Sequence, residues 1–168
     1  MALTSPYVQS RFERLPDDNY QTVDGRCLTA LLGAWGVPGP AEDPCVNAAG
    51  ESALVNQAPW LFRDGVPKSV VTNPPYKLPA VDEVVNQHVD RVRSGELVLA
   101  AFLLRASWDQ AIRRESLLDG APFAGLVRLR FRPWWTDSRD KQPIHNYQWL
   151  VFDRRHRGDP VVRYAGAA

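Results

Sequence analysis

The sequence has few of the residues that build disulfide scaffolds and metal sites. Its 168 residues include two cysteines and three histidines. Cys27 and Cys45 do not form a CxxC pair, and the histidines lie in separate segments without the spacing of paired metal ligands. The pattern therefore predicts two free thiols, no disulfide scaffold and no bound metal ion.

Long apolar runs and a large net charge are also missing. No stretch approaches the roughly 18 apolar residues of a membrane-spanning helix, and the amino terminus lacks the charged and apolar regions of a signal peptide. We therefore expect a cytoplasmic protein without a membrane partner. Twenty Lys and Arg residues against 19 Asp and Glu residues give a formal charge of +1. Overall charge thus does not indicate a nucleic-acid partner, so any such surface must be local.

The residues that are abundant describe a folded globule. Hydrophobic residues make up 45% of the chain, and six of them are tryptophans, which suits one domain with a substantial core. Residues 1–19 are polar and irregular and are interpreted as an amino-terminal arm, followed by a single domain over residues 20–168. Arginines and aromatic residues are concentrated together between residues 126 and 163.

Apolar spacing divides this domain into helices and strands. We predict helices over residues 23–35, 52–57, 78–95 and 107–120, and strands over residues 68–73, 96–107, 123–133, 147–155 and 159–165. The helix at 107–120 is capped by Ser107, and the strand at 96–107 is apolar enough to be buried on both faces. This order predicts an α/β fold with a mostly parallel sheet flanked by helices and a carboxyl-terminal antiparallel hairpin.

The stretch "TNPPYK" ends the strand at 68–73 abruptly. Each proline fixes its own φ and biases the preceding residue toward extended backbone, so the chain forms a stiff corner. The corner holds the Asn73 side chain, the Pro74 carbonyl and the Tyr76 ring in a fixed arrangement. Asn-Pro is also a common way to start a turn. Ligands of open α/β sheets bind beyond the carboxyl ends of strands, however, and this position favours a functional corner.

The motif Asn73-Pro74-Pro75-Tyr76 resembles the catalytic motif of S-adenosylmethionine-dependent, adenine-specific DNA methyltransferases, in particular their small phage-encoded and bacterial members. The resemblance implies a class I methyltransferase-like (Rossmann-like) fold, S-adenosylmethionine as cofactor and DNA as partner. It also implies that a flipped adenine donates hydrogen bonds from its exocyclic amine to the Asn73 side chain and the Pro74 carbonyl, while Tyr76 stacks on the base.

Two further segments resemble the cofactor site of that family. "EDPCVNAAGESALV" is similar to its cofactor loop, with Asn47 in place of the first glycine and the second displaced to Gly50. "DNYQTVDG" is similar to the segment that covers the methionine end of the cofactor. Asp64 is interpreted either as a remnant of the acidic segment near the cofactor's adenine or as a solvated turn residue. The resemblance thus assigns cofactor contacts to Tyr20, Thr22, Asp43, Pro44, Asn47, Gly50 and Asp64.

The spacing of the two motifs departs from the family. Only residues 51–72 lie between Gly50 and Asn73, about half of what a helix, a strand, a further connection and a third strand require. We predict that one strand–helix unit is missing, together with the acidic residue that binds the ribose hydroxyls. The sheet edge left exposed by this loss favours a homodimer.

The loop "RPWWTDSRDKQPIHNYQW" lies between the last two long strands. Its aromatic rings and cations suit base stacking and phosphate contacts, so we expect Arg132, Trp134, Trp135, Arg139 and Lys141 to bind nucleic acid. The alternative is that the tryptophans anchor the loop to the core and the charges are solvated.

The sequence therefore leaves three functions open. The first is an enzyme that transfers a methyl group from S-adenosylmethionine to the exocyclic amine of adenine in DNA. The second is a catalytically inactive relative that binds DNA or a protein partner without cofactor. The third is an unrelated α/β binding protein in which the Asn-Pro-Pro-Tyr corner is a coincidence.

Overall fold

Six strands form one mixed sheet in the computed structural model, which describes residues 20–136 and 143–166. The predicted amino-terminal arm lies outside the described residues. The strands are β1 (Ala41–Glu42), β2 (Ser69–Thr72), β3 (Leu99–Arg105), β4 (Phe123–Leu129), β5 (Tyr147–Asp153) and β6 (Val161–Ala165), arranged in the order β1-β2-β3-β5-β4-β6.

Four α-helices accompany the sheet in the described part of the chain. They are α1 (Arg26–Ala34), α2 (Ala53–Gln57), α3 (Ala80–Ser94) and α4 (Glu115–Leu118), and two 3-10 turns at Trp108–Gln110 and Ile112–Arg114 precede α4. No described helix is both long and apolar enough to cross a membrane. Cys27 and Cys45 are free thiols, as predicted.

Strand directions place most of the carboxyl ends at one edge of the sheet. β1, β2 and β3 are parallel, β5 is antiparallel to both β3 and β4, and β6 is parallel to β4. Five strands therefore end at the same edge, where β5 begins; we call it the carboxyl edge. The predicted α/β class, with a sheet flanked by helices, is confirmed. The antiparallel pairs that β5 makes with β3 and β4 lie in the middle of a mixed sheet, however, and not at its end, because β6 pairs in parallel with β4 beyond them.

β3 is the central strand and is buried on both faces, as predicted. Leu99, Ala101 and Leu103 belong to the apolar layer that also contains residues of α1 and α2. Its alternate residues, Ala100, Phe102 and Leu104, belong to a second layer with α3. Burial of each large apolar side chain contributes about 1.5–3 kcal/mol, so β3 is stabilised from both sides.

α3 follows the corner after β2 and fixes its position. Its apolar face, which includes Val85 and Val89, is buried against the second layer. Acidic residues lie in its first turn and arginines in its last, as the helix dipole favours. The helix ends at Gly95 with φ of 86°, in the left-handed conformation that glycine adopts without strain. The predicted end at Gly95 is confirmed.

The region 107–120 differs from the single helix that we predicted. The structure contains the two 3-10 turns and the four-residue α4 instead, and the Ser107 side chain makes no cap hydrogen bond. A continuous helix would require Ile112 on the buried face, whereas Ile112 is exposed. The Arg114 guanidinium is buried in this region, donating to the Trp108 carbonyl and to Asp82.

The outer side of β1 is covered by the chain itself. Residues 43–68, between β1 and β2, contain α2 and loops and no further strand. The Ala41 backbone N–H, at the start of β1, donates to the Leu61 carbonyl at 2.8 Å. β1 was not predicted because it has only two residues, neither of them β-branched or aromatic.

Candidate functional site

Three segments meet at the carboxyl edge beside β1 and β2. The corner after β2 contacts residues 20–22, because Asn73 Nδ2 donates to the Tyr20 carbonyl at 2.7 Å. The loop after β1 contacts the end of β2, because Thr72 Oγ1 donates to Asp43 Oδ1 at 2.5 Å. Gln21 Oε1 accepts the Ala53 backbone N–H at 3.1 Å. The segments that the sequence marked separately therefore form one site.

The corner is closed by a hydrogen bond within the Asn-Pro-Pro-Tyr motif. The Tyr76 hydroxyl donates to Asn73 Oδ1 at 2.5 Å, so both polar atoms of the Asn73 side chain are engaged, and Asn73 is only 5% exposed. Burial raises the pKa of Tyr76 well above its usual value. The hydroxyl thus keeps its proton at neutral pH and remains a donor. Pro74 is buried and Pro75 is half-buried.

The Tyr76 ring lies in an aromatic cluster with Tyr20, Trp135 and Tyr147. The Tyr76 centroid is 5.6 Å from that of Tyr147 and 6.2 Å from that of Trp135, the latter edge-on. The Arg105 guanidinium lies 5.9 Å from the Tyr76 centroid, at the end of β3. Tilted and edge-on rings of this kind attract one another beyond their buried area, so the cluster holds the corner in place.

A cleft opens beside Tyr76. It has a volume of about 220 Å³ and is lined by Tyr76, Leu78, Val81, Arg105, Ser107, Trp108 and Arg114. Trp108 is 8% exposed, and its indole N–H is buried with no hydrogen-bond partner among the described residues. Buried donors are nearly always paired. The cleft therefore combines aromatic rings and cations with an unpaired donor.

The loop after β1 is organised around the Asp43 carboxylate. It accepts hydrogen bonds from the Ser52 hydroxyl at 2.6 Å, from Thr72 and from the Cys45 backbone N–H. Burial nevertheless raises the pKa of Asp43, because these hydrogen bonds offset the loss of solvation only in part. Asn47 Oδ1 accepts the Ala49 and Glu51 N–H groups at 2.9 Å, so the loop forms a tight turn.

The cysteines do not supply a nucleophile to this site. Burial raises the pKa of the Cys45 thiol to about 11 and that of Cys27 higher still. The thiolate is the reactive form of cysteine. Both thiols therefore stay protonated at neutral pH, and the chemistry available here is hydrogen bonding and stacking.

Polar groups lie on only one side of the loop after β1. Thr22 is 2% exposed, and its hydroxyl oxygen has no hydrogen-bond partner among the described residues. Thr22, Tyr20 and Asp43 are the residues to which the resemblance would assign the amino-acid end of S-adenosylmethionine. On the outer side of β1, residues 43–68 provide no strand with an acidic residue for the ribose hydroxyls.

The predicted cofactor residues are not all at this site. Tyr20, Thr22 and Asp43 are brought together, and Pro44, Asn47 and Gly50 lie along the loop that follows Asp43. Asp64 is not brought to the site. It precedes Gly65, whose added Cβ would lie 3.1 Å from Pro40, the residue before β1. Asp64 therefore lies toward the amino end of β1 and is exposed, as in the solvated-turn interpretation.

The Trp135 ring of the late loop is packed against the core. It lies edge-on against Tyr147 with centroids 4.8 Å apart, and the backbone N–H of the neighbouring Trp134 donates to Asp24 Oδ2 at 3.1 Å. Arg132 is exposed and donates to Asn146. Arg139 and Lys141 lie outside the described residues. The structure thus favours the anchoring alternative for the Trp135 ring.

Sequence reasoning missed several side chains at this edge. Arg105, Trp108 and Arg114 line the cleft beside Tyr76, and Arg128 and Arg130 line a neighbouring groove. The groove arginines carried a signal, because "RLRFR" places every second residue on one face of a strand. Trp108 and Arg114 carried none, since the irregular turns that position them were predicted as a helix.

Neither the protein-family models nor the curated proteins contain a match to this chain.

Proposed function

We propose that this protein transfers a methyl group from S-adenosylmethionine to the exocyclic amine of adenine in DNA. The observation that carries the proposal is the Asn73–Tyr76 corner. It combines the buried Asn73 amide oxygen and the Pro74 carbonyl with the Tyr76 ring, which lines the cleft, and it lies next to the Asp43 loop. This arrangement suits an extruded adenine, whose amine donates two hydrogen bonds and whose ring stacks.

The protein's own residues would orient the base. The Asn73 amide oxygen and the Pro74 carbonyl accept the two amine hydrogens, which directs the nitrogen lone pair away from them. Tyr76 releases Asn73 and stacks on the base in the cleft that it lines. When bound, S-adenosylmethionine supplies an electrophilic methyl group, and Tyr20, Thr22 and Asp43 would hold its amino-acid end. The amine loses its proton after attack, so no general base is required beforehand.

A second candidate is a catalytically inactive relative that binds nucleic acid without cofactor. Two observations favour it. The Tyr76 hydroxyl occupies the Asn73 amide oxygen, and residues 43–68 contain no further strand that would carry an acidic residue for the ribose. In this case the corner contributes to the stability of the fold, and the basic surface of the carboxyl edge carries the function.

Titration of S-adenosylhomocysteine by calorimetry separates the two candidates. Saturable binding in the micromolar range would support the methyltransferase. No heat of binding at millimolar ligand would exclude it and leave the cofactor-free relative. A matching rise in melting temperature is expected only in the first case, because a ligand that binds the folded state alone stabilises it.

Substitution of the corner then tests the chemistry. Asn73→Ala removes one amine acceptor, so we expect methylation of adenine-containing DNA to fall by at least about 100-fold. Asn86→Ala on α3, an exposed asparagine away from the carboxyl edge, is the matched control. Because Asn73 is buried, the melting temperature of each variant must accompany the assay. Unchanged methylation in a folded Asn73→Ala variant would contradict the assigned role.

A further inference from the structure

The edge strand β6 is exposed on the face that carries the second apolar layer. α3 packs over β3 and β5 on that face, while Val162 and Tyr164 of β6 are exposed. A groove of about 370 Å³ lies at the carboxyl end of β4 and β6, lined by Arg128, Arg130, Arg132, Asn146, Tyr147 and Tyr164, among others. We call it the arginine groove.

The groove has a strong local positive charge. Arg128, Arg130 and Arg132 follow one another at every second position, and no carboxylate is among the described residues that line the groove. The nearby Asp109 accepts a hydrogen bond from Gln148 Nε2 at 2.7 Å. Three guanidinium groups, with no carboxylate among the described lining residues, suit phosphate oxygens, which arginine binds through paired hydrogen bonds.

Two buried polar atoms beside the groove are unpaired. Arg128 Nε and Gln148 Oε1 have no hydrogen-bond partner among the described residues. The two residues are directly opposite each other on β4 and β5. Buried polar groups are nearly always paired, so this donor and acceptor mark the wall of the groove as polar and unsatisfied.

An aromatic ring completes the same row. Tyr164 lies opposite Arg128 on β6, so Gln148, Arg128 and Tyr164 cross three strands side by side. Tyr164 is 56% exposed, and the Arg130 guanidinium lies 4.9 Å from its ring centroid. An exposed ring next to cations is the arrangement on which unpaired bases stack while their phosphates are neutralised.

The arginine groove leads to the Tyr76 cleft. Ala106 lines the groove, and its neighbours Arg105 and Ser107 line the cleft. Tyr147 lines the groove and packs against the Tyr76 ring. A chain of phosphates bound along the groove is thus directed toward the corner.

We propose that the arginine groove binds a single strand of nucleic acid, with phosphates on Arg128, Arg130 and Arg132 and a base stacked on Tyr164. The proposal rests on the proposed function only in sharing a nucleic-acid ligand, since it requires no cofactor. A duplex is disfavoured because its bases are already stacked and paired, whereas Tyr164 offers a free ring face.

The first test is the affinity for a short fluorescent oligothymidylate, measured by anisotropy over a salt series without cofactor. Arg130→Gln combined with Arg132→Gln should weaken binding by about tenfold or more at low salt. It should also reduce the slope of log affinity against log salt by about 1.4, as expected for two lost contacts to a single strand. Arg63→Gln combined with Arg157→Gln removes the same charge from exposed positions outside the groove and is the control.

An equal loss of oligothymidylate affinity in the two double variants would contradict binding in the arginine groove, because affinity would then depend on total charge alone. Tyr164→Leu should weaken binding by about fivefold or more, while Tyr164→Phe, which keeps the ring, should retain it. An unchanged affinity of Tyr164→Leu, or equal affinity for duplex and single strand, would overturn the stacked single strand.

The two proposals fail separately. Oligothymidylate binding that survives Asn73→Ala, without any S-adenosylhomocysteine binding, would support the groove and exclude methyl transfer. Cofactor binding and duplex methylation without oligothymidylate binding would overturn the groove and leave the proposed function standing.

Discussion

Two buried aspartates and one half-buried aspartate illustrate how neighbours decide the charge of a carboxyl group. Burial alone would raise the pKa of each, but Asp24 and Asp153 have lowered pKa values because Arg26 and Arg155 donate to them. Trp35 Nε1 also donates to Asp153, at 3.0 Å. Asp43 receives only neutral donors, and its pKa is raised. Arginines therefore hold Asp24 and Asp153 in the ionised form, whereas the hydrogen bonds to Asp43 come from neutral groups.

The stability of the protein should depend on pH through Asp153. Its folded-state pKa is lower than its unfolded value of about 3.9, so its contribution is present above that value and is lost as pH falls through the folded pKa. We expect Asp153→Asn to lower the free energy of unfolding at pH 7 by about 1.5–3 kcal/mol. The difference from the wild type should shrink toward pH 3 in denaturant unfolding.

Asp43→Asn provides a control of opposite sign. Because the folded-state pKa of Asp43 is raised, the wild type loses stability as pH rises from the unfolded pKa through the folded pKa, and the variant lacks this loss. A stability difference between Asp153→Asn and wild type that stays constant from pH 3 to pH 7 would contradict the ionic role of Asp153.

At the scale of secondary structure, the sequence was most informative where one physical signal dominated. The apolar run of β3 and the valine spacing of α3 predicted both elements, and Gly95 predicted the end of the helix. The region 107–120 was predicted wrongly because its apolar spacing resembles a helix, whereas the buried Arg114 and the exposed Ile112 show that tertiary contacts decide its shape. β1 carries too few residues for any periodic signal.

The candidate site shows the same limit. The prolines after β2 marked the corner because their effect on the backbone is local. The hydrogen bond from Asn73 to the Tyr20 carbonyl, the hydrogen bond from the Trp134 backbone to Asp24 and the row across β4, β5 and β6 depend on contacts between distant segments. No spacing along the chain reports such contacts, so these features required the structure.

β4 depends on a glycine where it meets β6. Gly125 lies at a register shift between β4 and β5, with φ of 148°, and a Cβ added there would lie 2.0 Å from the Val161 carbonyl oxygen. We expect Gly125→Ala to lower the free energy of unfolding by about 3 kcal/mol or more, through backbone strain and displacement of β6. Thermal unfolding measures this change.

Gly33→Ala is the matched control for that substitution. Gly33 lies on α1, and no atom lies within 4 Å of an added Cβ. Alanine favours a helix over glycine by up to about 1 kcal/mol, so this variant should be neutral or more stable. Similar destabilisation by both substitutions would show that the close approach of β6 is not the cause.

For the molecule as a whole, β3 joins the two apolar layers into one cooperative unit. Leu103 belongs to one layer and Phe102 to the other. We expect Leu103→Ala to lower the free energy of unfolding by about 2–5 kcal/mol and Phe102→Ala by about 3–5 kcal/mol. Each variant should show a single calorimetric transition at a lower temperature. Two separate transitions in either variant would contradict a shared core.

The two edges of the sheet bear on the homodimer, which remains a prediction. The Ala41 N–H on the outer side of β1 is already paired with Leu61, whereas β6 forms the opposite edge of the sheet, with Val162 and Tyr164 exposed. Association through β6 would cover part of the arginine groove. Sedimentation of the free protein and of its complex with oligothymidylate would show whether the two compete.

The Tyr76 hydroxyl competes with any incoming donor for the Asn73 amide oxygen, because it already donates a hydrogen bond to that atom. The hydroxyl supplies the amide oxygen with the donor that an amine would bring, so an incoming ring without an N–H group would leave that buried oxygen unpaired. Entry is therefore favourable only for a ring that replaces the displaced donor. Binding would then distinguish among bases before any reaction. A base with an amine replaces the hydrogen bond that Tyr76 gives up, and a base without one does not.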